Sequence, residues 1–503
     1  MKRLFGAVLA ALALGVSVRA NAQVVKTTAG EVRGVTAGGV SSWKGLPFAK
    51  PPLGELRWAP PQPAAPWKGV RAADVAGAAC PQPDRGDGGG VGAPPKQDED
   101  CLTLNVYAPA GAKNLPVMVW IHGGAFRLGY SGAALYNGAE LAKQGVVVVS
   151  LNYRLGLLGF FAHPQLTAAA KPGDPLGNYG LMDQLAALRW VQQDIAAFGG
   201  DPANVTAFGE SAGGSSLIYL LANPQAKGLF AKAIVESGGG LQRPVGMKEN
   251  EQRGVASAAN IGLKADATLA EMRARPATDW IKAQGGLQGG LGFGPFVDGR
   301  LVTEAPWQAF RDKRAIDVPL LIGANSNEAS VLTTLGVPTA ALAAAVGPRM
   351  AQVRDAYGKD LDEAEFARRA MGDLVFVAPS RWIAAATASG APSFLYYFPY
   401  VAAVRRASVP GANHGSEIPY VWQTWQETPL LARAMTEQDR AMSAMMSACW
   451  VAFAKTGKPS CAPAPEWPAY APATALRMEF GMEVKVTKPD RAAAYDLLTS
   501  DFR

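Results

Sequence analysis

The pentapeptide Gly209-Glu210-Ser211-Ala212-Gly213 is the stretch from which the fold of this 503-residue chain can be predicted. An apolar run over 204–208 precedes it and predicts a strand, and residues 212 to roughly 221 predict a helix. A serine at so tight a strand-to-helix turn takes strained backbone angles and projects its hydroxyl above the sheet edge. The pattern therefore predicts Ser211 as a nucleophile, and a structural serine in a glycine-rich turn is the alternative.

Short runs rich in valine, isoleucine and leucine predict further buried strands on either side of this turn. They cover residues 102–107, 117–121, 146–151, 205–208, 233–236 and 320–322. Helical patterns separate several of them; over 183–198, Leu188, Val191, Ile195 and Phe198 share one face. This alternation predicts an α/β fold with a central, mostly parallel sheet and helices on both faces. We expect residues around 240–395 to form helical insertions over the active-site edge.

Composition and charge narrow the class of protein. Apolar residues make up 49% of the chain and charged residues 18%, which supports a sizeable core and excludes wholesale disorder. The formal net charge is +7, and Lys2, Arg3 and Arg19 supply three of the positive charges. The remaining charge is too mild and too scattered to predict nucleic-acid binding.

The N-terminus predicts export. A basic start, Met1-Lys2-Arg3, precedes an apolar run over 4–18 and the small-residue site Ala20-Asn21-Ala22. This layout predicts a secretory signal peptide over 1–22 and a mature domain over 23–503, in the periplasm or outside the cell. A membrane anchor is the alternative, but the run is short for a span, which needs ~20 residues. We expect no stable membrane insertion; the oligomeric state stays open, with a monomer plausible.

Export permits disulfides, and the chain has four cysteines. Three pairings are formally available, and proximity in the sequence favours Cys80–Cys101 and Cys449–Cys461. No Cys-x-x-Cys spacing exists and the three histidines are far apart, so no metal site or cofactor is predicted.

A serine nucleophile needs a base and an acid that orients the base. His414 is the one histidine after Ser211, and the order nucleophile, acid, histidine expected for this architecture makes it the base. Glu328 is our choice of acid because it follows the predicted strand end at 320–323. Glu304, Asp298 and Glu363 are rivals by position but lack that context.

Backbone N–H groups that bind an oxyanion are expected in a second glycine-rich turn. His122-Gly123-Gly124-Ala125-Phe126 directly follows the predicted strand at 117–121, and the amide of Ala212 follows the nucleophile. An ordinary glycine turn is the alternative. His122 precedes Ser211 and is more plausible as a structural donor or acceptor than as a second base.

Taken together, these motifs resemble the type-B carboxylesterase family, which includes cholinesterases and bacterial para-nitrobenzyl esterases. The resemblance covers nearly the whole mature chain. Besides the two glycine-rich turns, it is carried by Trp43-Lys44-Gly45-Leu46-Pro47, Leu56-Arg57-Trp58, Glu99-Asp100-Cys101-Leu102, Asn152-Tyr153-Arg154-Leu155-Gly156, Gly177-Asn178-Tyr179-Gly180, Asp201-Pro202-Ala203-Asn204-Val205, Asn413-His414-Gly415-Ser416-Glu417 and Trp467-Pro468.

The resemblance implies an α/β-hydrolase fold and a serine carboxylesterase that needs no cofactor and acts on small-molecule esters through an acyl-enzyme. It implies the triad Ser211, Glu328 and His414, and oxyanion donors on Gly124, Ala125 and Ala212. It also implies the Cys80–Cys101 disulfide, ion pairs Arg57–Glu99 and Arg154–Asp183 that support the fold, and partners of the triad at Glu210 and Ser237.

Departures from the family pattern limit the substrate. Cholinesterases carry a tryptophan in the first disulfide loop that stacks on a quaternary ammonium, whereas residues 81–100 hold no aromatic side chain, so choline esters are not expected. The alternatives are a non-catalytic binding or adhesion module, which the presence of Ser211 and His414 disfavours, and a serine peptidase or acyltransferase. Seven aromatic residues are candidates for a substrate pocket, with a core role favoured: Phe293, Phe296, Trp307, Tyr396, Tyr397, Tyr420 and Trp422.

Overall fold

A computed structural model describes residues 20–84, 93–243, 245–285, 293–338, 340–358, 360–427 and 429–502. Most of the predicted signal peptide, part of the 81–100 loop and most of the glycine-rich stretch at 285–294 therefore lie outside the described residues. Residues 20–22 form the start of the first strand.

One sheet of thirteen strands runs through the described residues. The strands are β1 (Ala20–Lys26), β2 (Glu31–Ala37), β3 (Val40–Pro47), β4 (Val70–Ala72), β5 (Thr103–Pro109), β6 (Leu115–Ile121), β7 (Val147–Leu151), β8 (Gly200–Glu210), β9 (Lys232–Glu236), β10 (Leu320–Asn325), β11 (Ser393–Phe398), β12 (Arg477–Phe480) and β13 (Val484–Thr487). Their order is β1-β2-β3-β5-β7-β6-β8-β9-β10-β11-β12-β13, with β4 beside β2.

The centre of the sheet is parallel and its two ends are antiparallel. Along the order given above, every neighbouring pair from β7 to β12 is parallel, whereas the pairs from β1 to β7 on one side and the pair β12–β13 on the other are antiparallel. The short β4, off this path, lies parallel to β2. Each run predicted as a strand lies in this sheet. The prediction of an α/β fold with a mostly parallel sheet is confirmed.

Helices cover both faces, as the side chains of β6 show. Val117, Val119 and Ile121 pack in one hydrophobic cluster, and Met118 and Trp120 pack in another, because successive residues of a strand point to opposite faces. The helices are α1 (Ala139–Lys143), α2 (Gly156–Gly159), α3 (Pro164–Ala169), α4 (Tyr179–Asp194), α5 (Ala212–Leu221), α6 (Met247–Ala259), α7 (Leu269–Ala274), α8 (Ala277–Ala283), α9 (Pro306–Arg311), α10 (Ala329–Thr334), α11 (Ala340–Val346), α12 (Met350–Ala356), α13 (Glu363–Gly372), α14 (Ala378–Thr387), α15 (Ile418–Trp422), α16 (Pro429–Ala434), α17 (Glu437–Thr456) and α18 (Ala492–Leu498).

The first cluster includes residues of α4 and α5, and the second includes residues of α17. Residues 240–395 hold nine of these helices, α6 to α14, but they also contain β10 and the start of β11, so that range belongs partly to the sheet.

Two disulfides and two ion pairs, of which Arg154–Asp183 is buried, cross-link the chain. The bonds are Cys80–Cys101 and Cys449–Cys461, with Cα–Cα distances of 5.0 and 4.8 Å. Arg57 contacts Glu99, and Arg154 contacts Asp183 at 2.8 Å. In the described part of the chain, no helix combines the length and apolar character that crossing a membrane requires.

Candidate active site

Ser211 stands at a strained turn between β8 and α5. Its φ of 55° and ψ of −121° lie outside the regions that non-glycine residues prefer. Only glycine fits on either side: a Cβ on Gly213 would be 1.9 Å from the carbonyl oxygen of Ile121, and one on Gly209 would be 2.7 Å from it. The amide of Ser211 donates to the carbonyl of Glu236 at 2.9 Å, which fixes the turn against β9. The sequence pattern located this turn correctly.

The predicted acid and base are in contact. Nδ1 of His414 donates to Oε2 of Glu328 at 2.5 Å. The other oxygen of Glu328 accepts from the hydroxyl of Ser237 and from the amide of Asn325, each at 2.6 Å. Glu328 is therefore held on both oxygens, and it fixes the tautomer of the imidazole that leaves Nε2 free to accept a proton.

None of the rival acids takes this place. Glu304 forms an ion pair with Arg314, and Glu363 pairs with Arg354 at 3.1 Å. Asp298 accepts from Asn178 at 2.7 Å and from three backbone amides. All three carboxylates have partners away from His414.

The turn after β10 is bonded directly to the loop that carries the base. Asn327 donates through Nδ2 to Oδ1 of Asn413 at 2.7 Å, and Asn325 donates to the carbonyl of Asn413 at 2.9 Å. The amide of His414 donates to the hydroxyl of Ser330 at 3.0 Å. Acid and base are thus positioned by one set of hydrogen bonds.

The second ring nitrogen of His414 faces the residue before the nucleophile. Nε2 lies 3.1 Å from Oε1 of Glu210. Among the described residues no hydrogen bond joins the hydroxyl of Ser211 to this nitrogen. The ring of Phe376 packs on the imidazole, with ring centroids 4.7 Å apart. The structure therefore brings the base to the nucleophile turn but shows it against Glu210 rather than bonded to Ser211.

Buried charge shifts the pKa values of this site. Burial alone lowers the pKa of His414, but the charges of Glu210 and Glu328 outweigh that effect and raise it to about 9. Burial raises the pKa of Glu210 to about 7, an effect that His414 opposes and Glu328 reinforces. A raised pKa makes the neutral imidazole a stronger base toward the hydroxyl proton, provided that the imidazole has first lost its own proton.

The predicted oxyanion turn has the backbone that such a site requires. Gly124, Ala125 and Phe126 have φ values of 111°, 55° and 58°. The amides of Gly124, Ala125 and Ala212 donate to no acceptor within the described residues. A Cβ on Gly123 would lie 3.0 Å from Cβ of Ser211, so the turn packs closely against the nucleophile. These three N–H groups are available to a ligand.

His122 supports the turn from behind. Its Nδ1 donates to the carbonyl of Gly123 at 2.8 Å, its ring stacks on Tyr153, and burial lowers its pKa to about 4. A neutral, fully buried histidine agrees with the structural role expected from the sequence.

Most of the seven aromatic candidates are core residues. Phe296, Tyr396, Tyr397, Tyr420 and Trp422 are buried. Trp307 packs on Phe502, and the ring of Phe293 lies 5.7 Å from the guanidinium of Arg127.

Sequence reasoning missed Phe376, which lies in a π-helical turn (Asp373–Val377) that no composition signal marks. It also missed the placement of Glu236 and Glu417, although both stand beside recognised motifs.

Comparison with known proteins identifies the group to which this geometry belongs. A family model described as "Carboxylesterase family" matches residues 21–347 and 350–498. The chain belongs to the carboxylesterase family. It is 39% identical over 466 residues to the para-nitrobenzyl esterase of Bacillus subtilis (strain 168), covering 89% of this chain and 92% of that protein. It is 35% identical over 409 residues to the fumonisin B1 esterase of Sphingopyxis macrogoltabida, covering 77% and 73%.

Solved structures of carboxylesterases share the fold. A para-nitrobenzyl esterase structure superposes with a TM-score of 0.85 at 36% identity, covering 95% of this chain and 99% of that one. A carboxylesterase of Geobacillus stearothermophilus gives a TM-score of 0.83 at 34% identity, covering 94% and 99%. The expected α/β-hydrolase fold is therefore confirmed, and this member of the carboxylesterase family is a carboxylic ester hydrolase.

Proposed function

We propose that this protein is an exported serine esterase that hydrolyses small-molecule carboxylic esters through an acyl-enzyme on Ser211. The observation that carries the proposal is the pair Glu328–His414, with its imidazole against the residue next to a strained serine. The names of its relatives, a para-nitrobenzyl esterase and a fumonisin B1 esterase, support esters of small organic molecules as the substrate class.

In the first half of the reaction, Nε2 of His414 takes the proton of Ser211 as the hydroxyl attacks the ester carbonyl. Because Nε2 now lies against Glu210, the imidazole moves the short distance to the serine when substrate binds. Glu328 holds the tautomer and stabilises the imidazolium that forms. The free amides of Gly124, Ala125 and Ala212 receive the negative charge on the carbonyl oxygen, and the loss of one such donor costs roughly 3–4 kcal/mol.

The first half ends when His414 gives the proton taken from Ser211 to the leaving alcohol and the ester C–O bond breaks, which leaves the acyl group on Ser211. In the second half His414 takes a proton from the water that attacks the acyl carbonyl and returns it to the oxygen of Ser211 as the carboxylic acid leaves. Glu210 lies 3.1 Å from Nε2 of His414, and Ser237 orients Glu328 through its 2.6 Å hydrogen bond. Export is supported by the N-terminal pattern and by two disulfides, since such bonds persist in oxidising compartments.

The variant Ser211→Ala tests the nucleophile. We expect kcat for a short-chain nitrophenyl ester to fall by about 10⁶-fold because the acyl-enzyme cannot form. The matched control is Ser215→Ala, one helical turn later, which should retain activity. Circular dichroism and thermal unfolding should show that both variants fold.

An organophosphate titration gives an independent readout. One equivalent of label per chain, located on Ser211 by mass spectrometry and absent from Ser211→Ala, is the expected result. Undiminished turnover in Ser211→Ala would falsify the assignment. Turnover of an anilide at a rate comparable with the matched ester would favour the peptidase alternative.

A further inference from the structure

A row of residues crosses the sheet behind the proposed triad. Glu210 of β8 is the register partner of Glu236 of β9, which lies beside Gly323 of β10, and Gly323 lies beside Tyr396 of β11. Register partners on parallel strands point to the same face and are about 4.8 Å apart. The carboxyl groups of Glu210 and Glu236 are therefore neighbours on one face of the sheet.

Glycine at position 323 makes room in this row. A Cβ there would lie 2.4 Å from the ring of Tyr396, so that ring lies over the glycine on the face shared with Glu236. Trp450 of α17 closes the face: its Nε1 donates to Oε1 of Glu236 at 2.9 Å, and its ring packs on Tyr396. Glu236 is thus enclosed by aromatic rings.

Glu236 and a second buried glutamate, Glu417, each have a hydrogen-bond partner on only one carboxyl oxygen. Glu236 and Glu417 are both 0% exposed. One oxygen of Glu236 accepts from Trp450, and one oxygen of Glu417 accepts from Asn325. The second oxygen of each has no hydrogen-bond partner within the described residues.

The surrounding charges do not compensate for two more anions. The titratable groups that act on Glu236 and Glu417 are Glu210, Glu328, Tyr396 and His414. Neither Glu236 nor Glu417 forms an ion pair with a lysine or arginine in the part of the chain described here, and the one cation of the site, His414, contacts Glu210 and Glu328. An unpaired buried carboxylate next to another is strongly unfavourable in its ionised form.

We propose that Glu236 and Glu417 remain protonated in the folded protein at neutral pH and so confine the negative charge around His414 to Glu210 and Glu328. The pKa values agree: burial, reinforced by Glu210, raises the pKa of Glu236 to about 8, and burial raises the pKa of Glu417 well above its usual range. Two further anions would raise the pKa of His414 still further and leave less of the neutral imidazole that takes the proton of Ser211. Only this last consequence rests on the proposed function.

Infrared spectroscopy of the variant Glu236→Gln tests the protonation state directly. Glutamine keeps the shape and the acceptor for Trp450 but has no carboxyl group. The wild-type minus variant spectrum at pH 7 should contain the carbonyl stretch of a protonated carboxyl. Glu466→Gln, at an exposed position, is the control and should lack that band. If the difference spectrum contained carboxylate bands and no band of a protonated carboxyl, the proposal for Glu236 would be overturned. The variant Glu417→Gln tests Glu417 in the same way.

Stability against pH is a second measurement that needs no activity. An acid protonated in the fold but ionised in the unfolded chain binds an extra proton when folded, so stability falls as pH rises from about 4.3, the ordinary pKa of glutamate, toward the folded value. Glu236→Gln removes this loss. Its unfolding temperature relative to wild type should therefore rise progressively between pH 5 and pH 8. A constant difference across that range contradicts the proposal.

The pH dependence of hydrolysis then tests the consequence for the base. In Glu236→Gln the midpoint of the acid limb of kcat/KM should stay within a few tenths of a pH unit of wild type, because no charge is removed. If Glu236 were ionised, its loss would lower the pKa of His414 and move that limb to lower pH. An inactive wild-type protein would defeat the proposed function while leaving the infrared and stability tests intact.

Discussion

Two sets of buried carboxylates in this molecule differ in whether a cation neutralises each of them. Asp183 receives two hydrogen bonds of 2.8 Å from the guanidinium of Arg154, one to each oxygen, and both side chains are buried. Around His414, by contrast, three buried glutamates, Glu210, Glu328 and Glu417, act on a single imidazole. The ion pair leaves no excess charge, whereas the excess of carboxylates around His414 raises the pKa of the imidazole, a kind of shift that is common at proton-transferring sites.

The largest expected effect concerns the glutamates around His414. Glu328→Gln should lower kcat by about 10⁴-fold, because a glutamine neither enforces the tautomer of His414 nor stabilises the imidazolium. Steady-state hydrolysis of a nitrophenyl ester measures this. The control is Glu304→Gln, a rival acid paired with Arg314, which should retain wild-type kcat. A loss smaller than tenfold in Glu328→Gln would show that another carboxylate supports the base.

A substitution in the Arg154–Asp183 ion pair should lower the stability of the fold rather than the rate of hydrolysis. Asp183→Asn leaves the guanidinium of Arg154 buried without its anion, which costs about 3–5 kcal/mol of unfolding free energy. Urea unfolding measures the loss, and kcat per folded molecule should stay unchanged. A variant of normal stability with impaired kcat would place Asp183 in the site instead of the scaffold.

A smaller effect should appear in the pH profile of Glu210→Gln. The carboxylate of Glu210 favours the protonated imidazole, so its removal lowers the pKa of His414 from about 9. Since the base must be neutral to act, the acid limb of kcat/KM should move to lower pH by about one unit, equivalent to ~1.4 kcal/mol. An unchanged or raised midpoint would mean that Glu210 does not face the catalytic nitrogen in solution.

The sequence was most informative where backbone geometry restricts residue choice. The elbow around Ser211 admits only glycine at 209 and 213, so its motif is readable, and the parallel strands are readable as continuous apolar runs. Glu328 could be chosen over Glu304 because the carboxyl ends of parallel strands meet at one edge of the sheet. These are local rules, and the structure follows them.

Features that depend on packing between distant segments were not predictable. Tyr396 and Tyr397 belong to β11, but their aromatic run was considered for a pocket because side chains of a core strand and of a binding site have the same composition. Glu236 reads in the sequence as an ordinary strand end; its partner Trp450 lies 214 positions away. Phe376 reaches His414 through a π-helical turn, for which no residue pattern exists.

The bonding of Asn325 and Asn327 to Asn413 has a consequence for which parts of this chain can change without disturbing the base. The loop that carries the base is bonded through Ala412 and Asn413 to the end of β10 and to the turn after it. Residues 404–408 of that segment are exposed. Insertions and deletions there should leave the alignment of the imidazole unchanged, since loop length alone carries a small free-energy cost. This segment can therefore change in length and sequence while the chain keeps its proton-transfer geometry.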